Sequence, residues 1–285
     1  MRLRKRAIFA KFFNDRGTHL AAMVAYFALL SFVPLIFLAL SLLGLAHRAD
    51  ASDFLVRELK RAFPGSSLQS ILTLVRKVQD NAATLGIIGG IGLLWSSLSL
   101  FSALESAFNI VYGRPNRPFL RGKTVAAALM ASVLVTLFAS LVVGALGVEV
   151  VKRYAPGFVG APAVAYTLSV AVSLVGVFLF LVAVYRLLPN VDVSLHDVLP
   201  GAVMGAIVLE ASFQVLPVFV RLADVNVTLR VLGGPAILLI WLYVMANVIV
   251  FGAELNWWVA LRREGALSSA ALQAQAPADG AKTKA

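Results

Sequence analysis

Residues 93–114 read LLWSSLSLFSALESAFNIVYGR. The stretch lies within an apolar run, about residues 83–112, long enough to cross a bilayer as a helix. Yet Ser99, Ser102, Ser106 and Asn109 recur at steps of three and four, with Glu105 beside them. At 100° per residue these positions and Trp95 fall within about one third of the helix circumference. An ionised group at mid-helix costs on the order of 3 kcal/mol on insertion scales. A carboxylate here must face protein or water, not lipid.

The rest of the chain has the same character. Of 285 residues, 60% are hydrophobic and 14% charged, where soluble domains carry about 25% charge. This is an integral membrane protein of the all-α class. Six spans are expected, at about 20–46, 83–112, 124–150, 162–188, 198–220 and 233–260. A basic segment, 1–19, precedes them. A tail, 263–285, rich in Ala, Gln, Ser and Lys further on, is expected to be disordered. The run from Leu20 is too long for the core of a signal peptide, about 7–15 residues, so it is read as a retained span.

The net charge of +11 belongs to short segments flanking the spans, so a nucleic-acid surface is not expected. Arg2, Arg4, Lys5, Arg6, Lys11 and Arg16 precede the first span, Arg114, Arg117, Arg121 and Lys123 lie between the second and third, and Arg262 and Arg263 follow the sixth. The bias predicts both termini in the cytoplasm. The first outer loop, about 47–82, is the exception, with six basic and four acidic residues. Its apolar spacings predict two short amphipathic helices broken at Pro64-Gly65, either a lid over the bundle or a gate.

There is no cysteine, and His19, His47 and His196 share no ligand spacing. Disulfides and thiolate chemistry are excluded, and neither a cofactor nor a metal is expected. Two further carboxylates resemble Glu105 in setting. Glu210 is near the middle of the fifth span with Gln214 at i+4, and Glu254 shares a face of the sixth with Tyr243, Asn247 and Trp258. These residues, with Ser102 and Asn109, are read as lining a polar cavity open to the inner leaflet or cytosol. The competing reading is that Ser, Asn and Gln bind helices together through interhelical hydrogen bonds. Pro34 and Pro217 mark kinks or hinges. Gly201 and Gly205 form a GxxxG that permits close helix contact.

Four blocks in order resemble the YihY/BrkB family of bacterial inner-membrane proteins: AYFALLSFVPLIFLALSLLG (25–44), LLWSSLSLFSALESAFNIVYG with RPFLRGK (93–123), LLPNVDVSLHDVLPGAV (187–203) and ILLIWLYVMANVIVFGAELN (237–256). Pro34, Glu105, Pro189, Asn190, Pro200, Gly201, Gly252, Glu254 and Asn256 lie in these blocks. The resemblance covers residues 10–262 and implies a six-helix bundle with cytoplasmic termini in the inner membrane. The family also bears a ribonuclease BN label. No HxH, DxD or cluster of His and Asp supplies an acid–base pair or metal site for RNA, so no enzyme is expected. Family associations with serum resistance and envelope lipids point instead to transport or handling of a lipid or lipid-linked envelope precursor. Glu105, Glu210 and Glu254 would contact the headgroup, and Arg114, Arg117, Arg121 and Lys123 would attract it or merely set topology. The alternative is a non-transporting scaffold for a partner protein.

Overall fold

The computed structural model describes residues 7–45, 82–132, 162–225 and 234–275. All the secondary structure among them is helical. The elements are α1 (Ala7–Asn14), α2 (Gly17–Leu45), α3 (Ala82–Val111), α4 (119–132), α5 (Pro162–Leu187), α6 (Leu195–Val225) and α7 (Gly234–Gln275). Four stretches are long and apolar enough to cross a bilayer: Gly90–Val111, Val170–Leu187, Leu195–Leu216 and Pro235–Arg263. These correspond to the expected second, fourth, fifth and sixth spans. The first falls on α2, whose described apolar stretch, Gly17–Phe32, is shorter. Of the expected third span only residues 124–132, on α4, are described; the rest of it and the two amphipathic helices expected in 47–82 lie outside the described residues.

Two boundaries differ from expectation. The basic N-terminal segment contains a helix of its own, α1, joined to α2 by a tight turn. Arg16 adopts a positive φ there, and a Cβ on Gly17 would lie 2.3 Å from the Phe12 ring. At the other end, residues 264–275, expected to be disordered, extend α7 to Gln275. Alanine-rich sequence after a formed helix needs no new nucleus, and propagation is cheap for good helix formers.

Packing runs α3–α2–α7–α6–α5 through neighbouring helices. Small residues make the close contacts: Ala21 and Ala25 on α2, Ala103 and Ala107 on α3, Ala202 and Ala206 on α6, Ala246 and Ala253 on α7, all buried. Tyr185 of α5 is the hub. Its ring meets Phe108 of α3 at 5.5 Å, and its hydroxyl donates to the Ile249 carbonyl of α7 at 2.8 Å. α6 and α7 touch at glycine. A Cβ on Gly201 would sit 2.2 Å from the Gly252 carbonyl oxygen, and one on Gly252 would sit 2.1 Å from the Tyr185 hydroxyl. The GxxxG thus lies at a helix interface. Pro34 is inside the continuous α2, and its ring faces Gly92 of α3. α6 likewise runs on past Pro217.

One end of the bundle gathers α1, the 112–118 turn, the 188–194 turn and the end of the apolar stretch of α7. Lys11 reaches the Val111 carbonyl, Asn190 reaches Asn109, and Arg263 reaches Asp197. This is the loop end.

Gly201→Ala should cost about 1–3 kcal/mol by forcing backbone apart at the α6–α7 contact. Gly90 and Gly176 face open space, so alanine there should be neutral or stabilising by up to about 1 kcal/mol. Thermal unfolding of the three variants in detergent checks the contrast.

Candidate functional site

Just past the end of α3, Gly113, with its positive φ, closes a Schellman turn: Arg114 N–H donates to Asn109 O at 2.7 Å and Gly113 N–H to Ile110 O at 3.1 Å. The turn sends residues 114–118 back along the polar stripe of α3. Asn109 Nδ2 donates to Asn116 Oδ1 at 2.9 Å, and Asn116 Nδ2 to Ser106 Oγ at 3.3 Å. Glu105, 6% exposed, accepts from the Arg117 backbone N–H at 3.3 Å and its guanidinium at 3.2 Å. From α4, Lys123 donates to Ser102 Oγ at 3.0 Å and the Leu98 carbonyl at 3.3 Å. Gly122 leaves room for the carboxylate, because a Cβ there would lie 3.1 Å from Glu105 Oε2.

Arg117 does more than neutralise Glu105. Its guanidinium also donates to the carbonyls of Leu187 (3.2 Å), Leu188 and Pro189 (2.7 Å), groups that the end of α5 leaves without helical partners. Asn109 and Asn190 fasten the same junction. The Asn190 N–H donates to Asn109 Oδ1 at 2.7 Å, and its side-chain amide to the Pro115 carbonyl at 3.0 Å. α6 then opens on Ser194, whose Oγ accepts from the Asp197 N–H at 3.3 Å, an N-cap that satisfies one of the helix's free donors.

The second polar centre is Glu254 of α7, 0% exposed. Lys11 of α1 stands 3.0 Å from its Oε2. The same ammonium pairs with Asp15, donates to the Val111 carbonyl at 2.9 Å and lies 4.3 Å from the Trp257 ring centre. Lys11 is placed there because Ile8 and Phe12, on its own face of α1, are buried in the bundle. Around it the accounting is incomplete. Glu254 Oε1, Tyr112 Oη, Asn256 Nδ2 and Trp258 Nε1 are buried with no hydrogen-bond partner among the described residues. Asn256 uses only its Oδ1, accepting the Gly201 N–H at 2.7 Å. Glu254 and Asp197 lie close enough for their charges to act on Tyr112.

The third carboxylate stands elsewhere. Glu210 accepts from Ser173 of α5 at 2.7 Å and from Gln214 of its own helix at 2.9 Å. Asn247 donates to the Tyr243 carbonyl one turn back, at 2.7 Å. Glu105, Glu210 and Glu254 therefore have three different sets of partners. Of the four cations between the second and third spans, Arg117 and Lys123 point their charge into the bundle, while Arg114 and Arg121 are exposed.

Sequence reasoning placed Trp258 on the Glu254 face but missed Lys11 as the partner of Glu254, Arg117 as the cap of α5, and Tyr112 and Asn256 beside Glu254. Only Lys11 had a local signal, its place between Ile8 and Phe12 on one helical face. Among the described residues no group of three or more His, Cys, Asp or Glu is placed to hold a metal ion.

Membrane-length apolar helices joined at one end by buried ion pairs define an α-helical membrane protein. The chain belongs to the family described as Virulence factor BrkB, whose model matches residues 8–277. It is 27% identical to the ribonuclease-like protein YfkH of Bacillus subtilis (strain 168) over 87% of this chain and 92% of that one. It is 26% identical to UPF0761 membrane proteins of Rhodospirillum centenum, over 86% of this chain and 55% of the relative, and of Ralstonia nicotianae, over 88% and 57%. The chain therefore spans nearly all of the first relative's length and little more than half of the other two. No solved structure matches it.

Arg117→Ala should destabilise the fold by about 3–5 kcal/mol, since it strands a buried carboxylate and bares the α5 carbonyls. The double change Glu105→Gln with Arg117→Gln should recover much of that loss, because no buried charge is left unpaired. Unfolding midpoints in detergent test this; a double variant no more stable than Arg117→Ala would show that the ion pair is not the important part.

Proposed function

We propose that the chain is a six-span protein of the bacterial inner membrane, with the loop end and both termini in the cytoplasm. It transports or handles a lipid or lipid-linked envelope precursor and is not an enzyme. The orientation is supported by the basic residues of the loop end: Lys11, Arg16, Arg114, Arg117, Arg121, Lys123, Arg262 and Arg263 are all on α1, the α1–α2 turn, the 112–123 segment or the end of the α7 span.

The observation that carries the lipid reading is the unfinished polar site around Glu254. A wholly buried carboxylate in a membrane-length helix is expected to mark a pathway or binding site. Here it has one cationic partner on a short, separate helix and unpartnered polar atoms on Tyr112, Asn256 and Trp258. A hydrated headgroup entering from the loop end would satisfy those atoms while its acyl chains stay in the bilayer. Lys11 is the group it would displace or exchange with, and α1 the part that would move. The ribonuclease-like name of the Bacillus relative is not carried over, because Glu105, Glu210 and Glu254 are buried within the bundle and not presented to a large polyanion.

A second reading is favoured by the internal pairing of Glu105 and Glu210. Polar stripes that are already satisfied serve packing, as in a scaffold or assembly factor for a partner protein. It predicts stable co-purification of that partner and no lipid movement.

Purified protein in liposomes with fluorescent phospholipids separates the two. Wild type should move lipid between leaflets, and Glu254→Gln should slow this about tenfold, the equivalent of about 1.4 kcal/mol, at unchanged protein level. Liposomes in which wild type moves no lipid would shift the assignment to the scaffold.

A further inference from the structure

Arg186 lies in the last turn of α5. The helix dipole alone favours a cation there, but it does not determine which way round the helix the cation lies. At 3.6 residues per turn, Val172, Val175, Leu179 and Arg186 fall within about 60° of one another, and all four are exposed. α5 is the barest of the membrane-length helices: 17% of Val170–Leu187 is buried, against 39% or more in the other three. Its open apolar stripe rises about 21 Å to Arg186 at 1.5 Å per residue, more than one leaflet's half of a ~30 Å hydrocarbon core.

Beyond Arg186 the chain turns, and Arg117, Arg186, Leu187, Pro189 and Asp192 line a cavity of about 310 Å³. That is at the lower end of the roughly 300–1,000 Å³ of small-ligand sites, a size for a headgroup and not for a whole lipid. The charge of Arg117 is balanced by Glu105 at 3.2 Å. What remains at the cavity is one exposed cation, Arg186, and one exposed anion, Asp192. A purely anionic headgroup would meet repulsion from Asp192. A quaternary ammonium has no N–H to donate to it.

We infer that the exposed α5 stripe and the cavity beyond Arg186 bind a zwitterionic phospholipid carrying a phosphodiester and a primary amine. The phosphodiester pairs with Arg186 and the amine with Asp192, while an acyl chain lies along Val172, Val175 and Leu179. The site is separate from Glu254. It rests on the membrane-embedded reading above and adds a headgroup class to it.

The test uses the full chain, stripped of lipid and placed in nanodiscs with equal parts of dioleoyl phosphatidylethanolamine, phosphatidylglycerol and phosphatidylcholine. Native mass spectrometry then counts the lipid retained. Wild type should keep phosphatidylethanolamine over each of the others by about fivefold, the scale of one exposed ion pair. Asp192→Asn should still retain lipid but turn its preference to phosphatidylglycerol, and Arg186→Gln should lower retention of all three. Both residues are exposed, and an unchanged unfolding midpoint controls for folding. Equal retention of the three lipids, or a preference unaltered in both variants, overturns the site. Displacement by an equal concentration of soluble glycerophosphoethanolamine overturns the acyl-chain stripe. Selective retention without movement in liposomes leaves this site standing and removes lipid transport; movement without selectivity does the reverse.

Discussion

Arg117 is the group on which the loop end depends. Inside a membrane bundle there is too little water to satisfy backbone carbonyls or a carboxylate, so each needs a protein partner. One planar guanidinium with five donors meets both demands. It neutralises Glu105 of α3 and caps the carbonyls where α5 ends. A lysine, with a single ammonium, could not reproduce that fork. The polar stripe that would be costly in lipid becomes the surface against which the 114–118 segment is folded.

That junction sets the position of the rest. With α3 and α5 tied at their ends, Phe108 and Tyr185 meet, and the Tyr185 hydroxyl reaches across to α7. The glycine contact between α6 and α7 leaves no room for a side chain, so the hub cannot shift without disturbing three helices. Close-packed interiors transmit such displacements. The Glu254 site differs in kind. Its cation comes from α1, a helix of eight residues, and several of its buried polar atoms have no partner among the described residues. The bundle thus joins a paired polar seam to one that, among the described residues, holds unpartnered buried polar atoms.

Much of the helical plan was legible along the chain. The membrane-length runs on α3, α5, α6 and α7 could be read because burial in lipid demands about 20 apolar residues whatever the fold. Helix α1 was passed over because eight residues are too few to announce a helix by propensity; it is held by the burial of Ile8 and Phe12. Residues 264–275 differ from expectation for the opposite reason, since an alanine-rich stretch can simply continue a helix already formed.

The candidate site divides along the same line. That Glu105, Glu210 and Glu254 must avoid lipid follows from the cost of an ionised group in hydrocarbon, and the sequence by itself determined it. Which groups they meet was decided only by tertiary structure. Lys11 and Glu254 are far apart in the chain, as are Arg117 and the carbonyls of residues 187–189, and no periodicity within one helix encodes a pairing between two. The three carboxylates look alike in sequence because each sits on a polar helical face. They differ in the fold because that face turns towards a returning loop for Glu105, a neighbouring serine for Glu210, and a short docked helix with unpartnered polar atoms for Glu254.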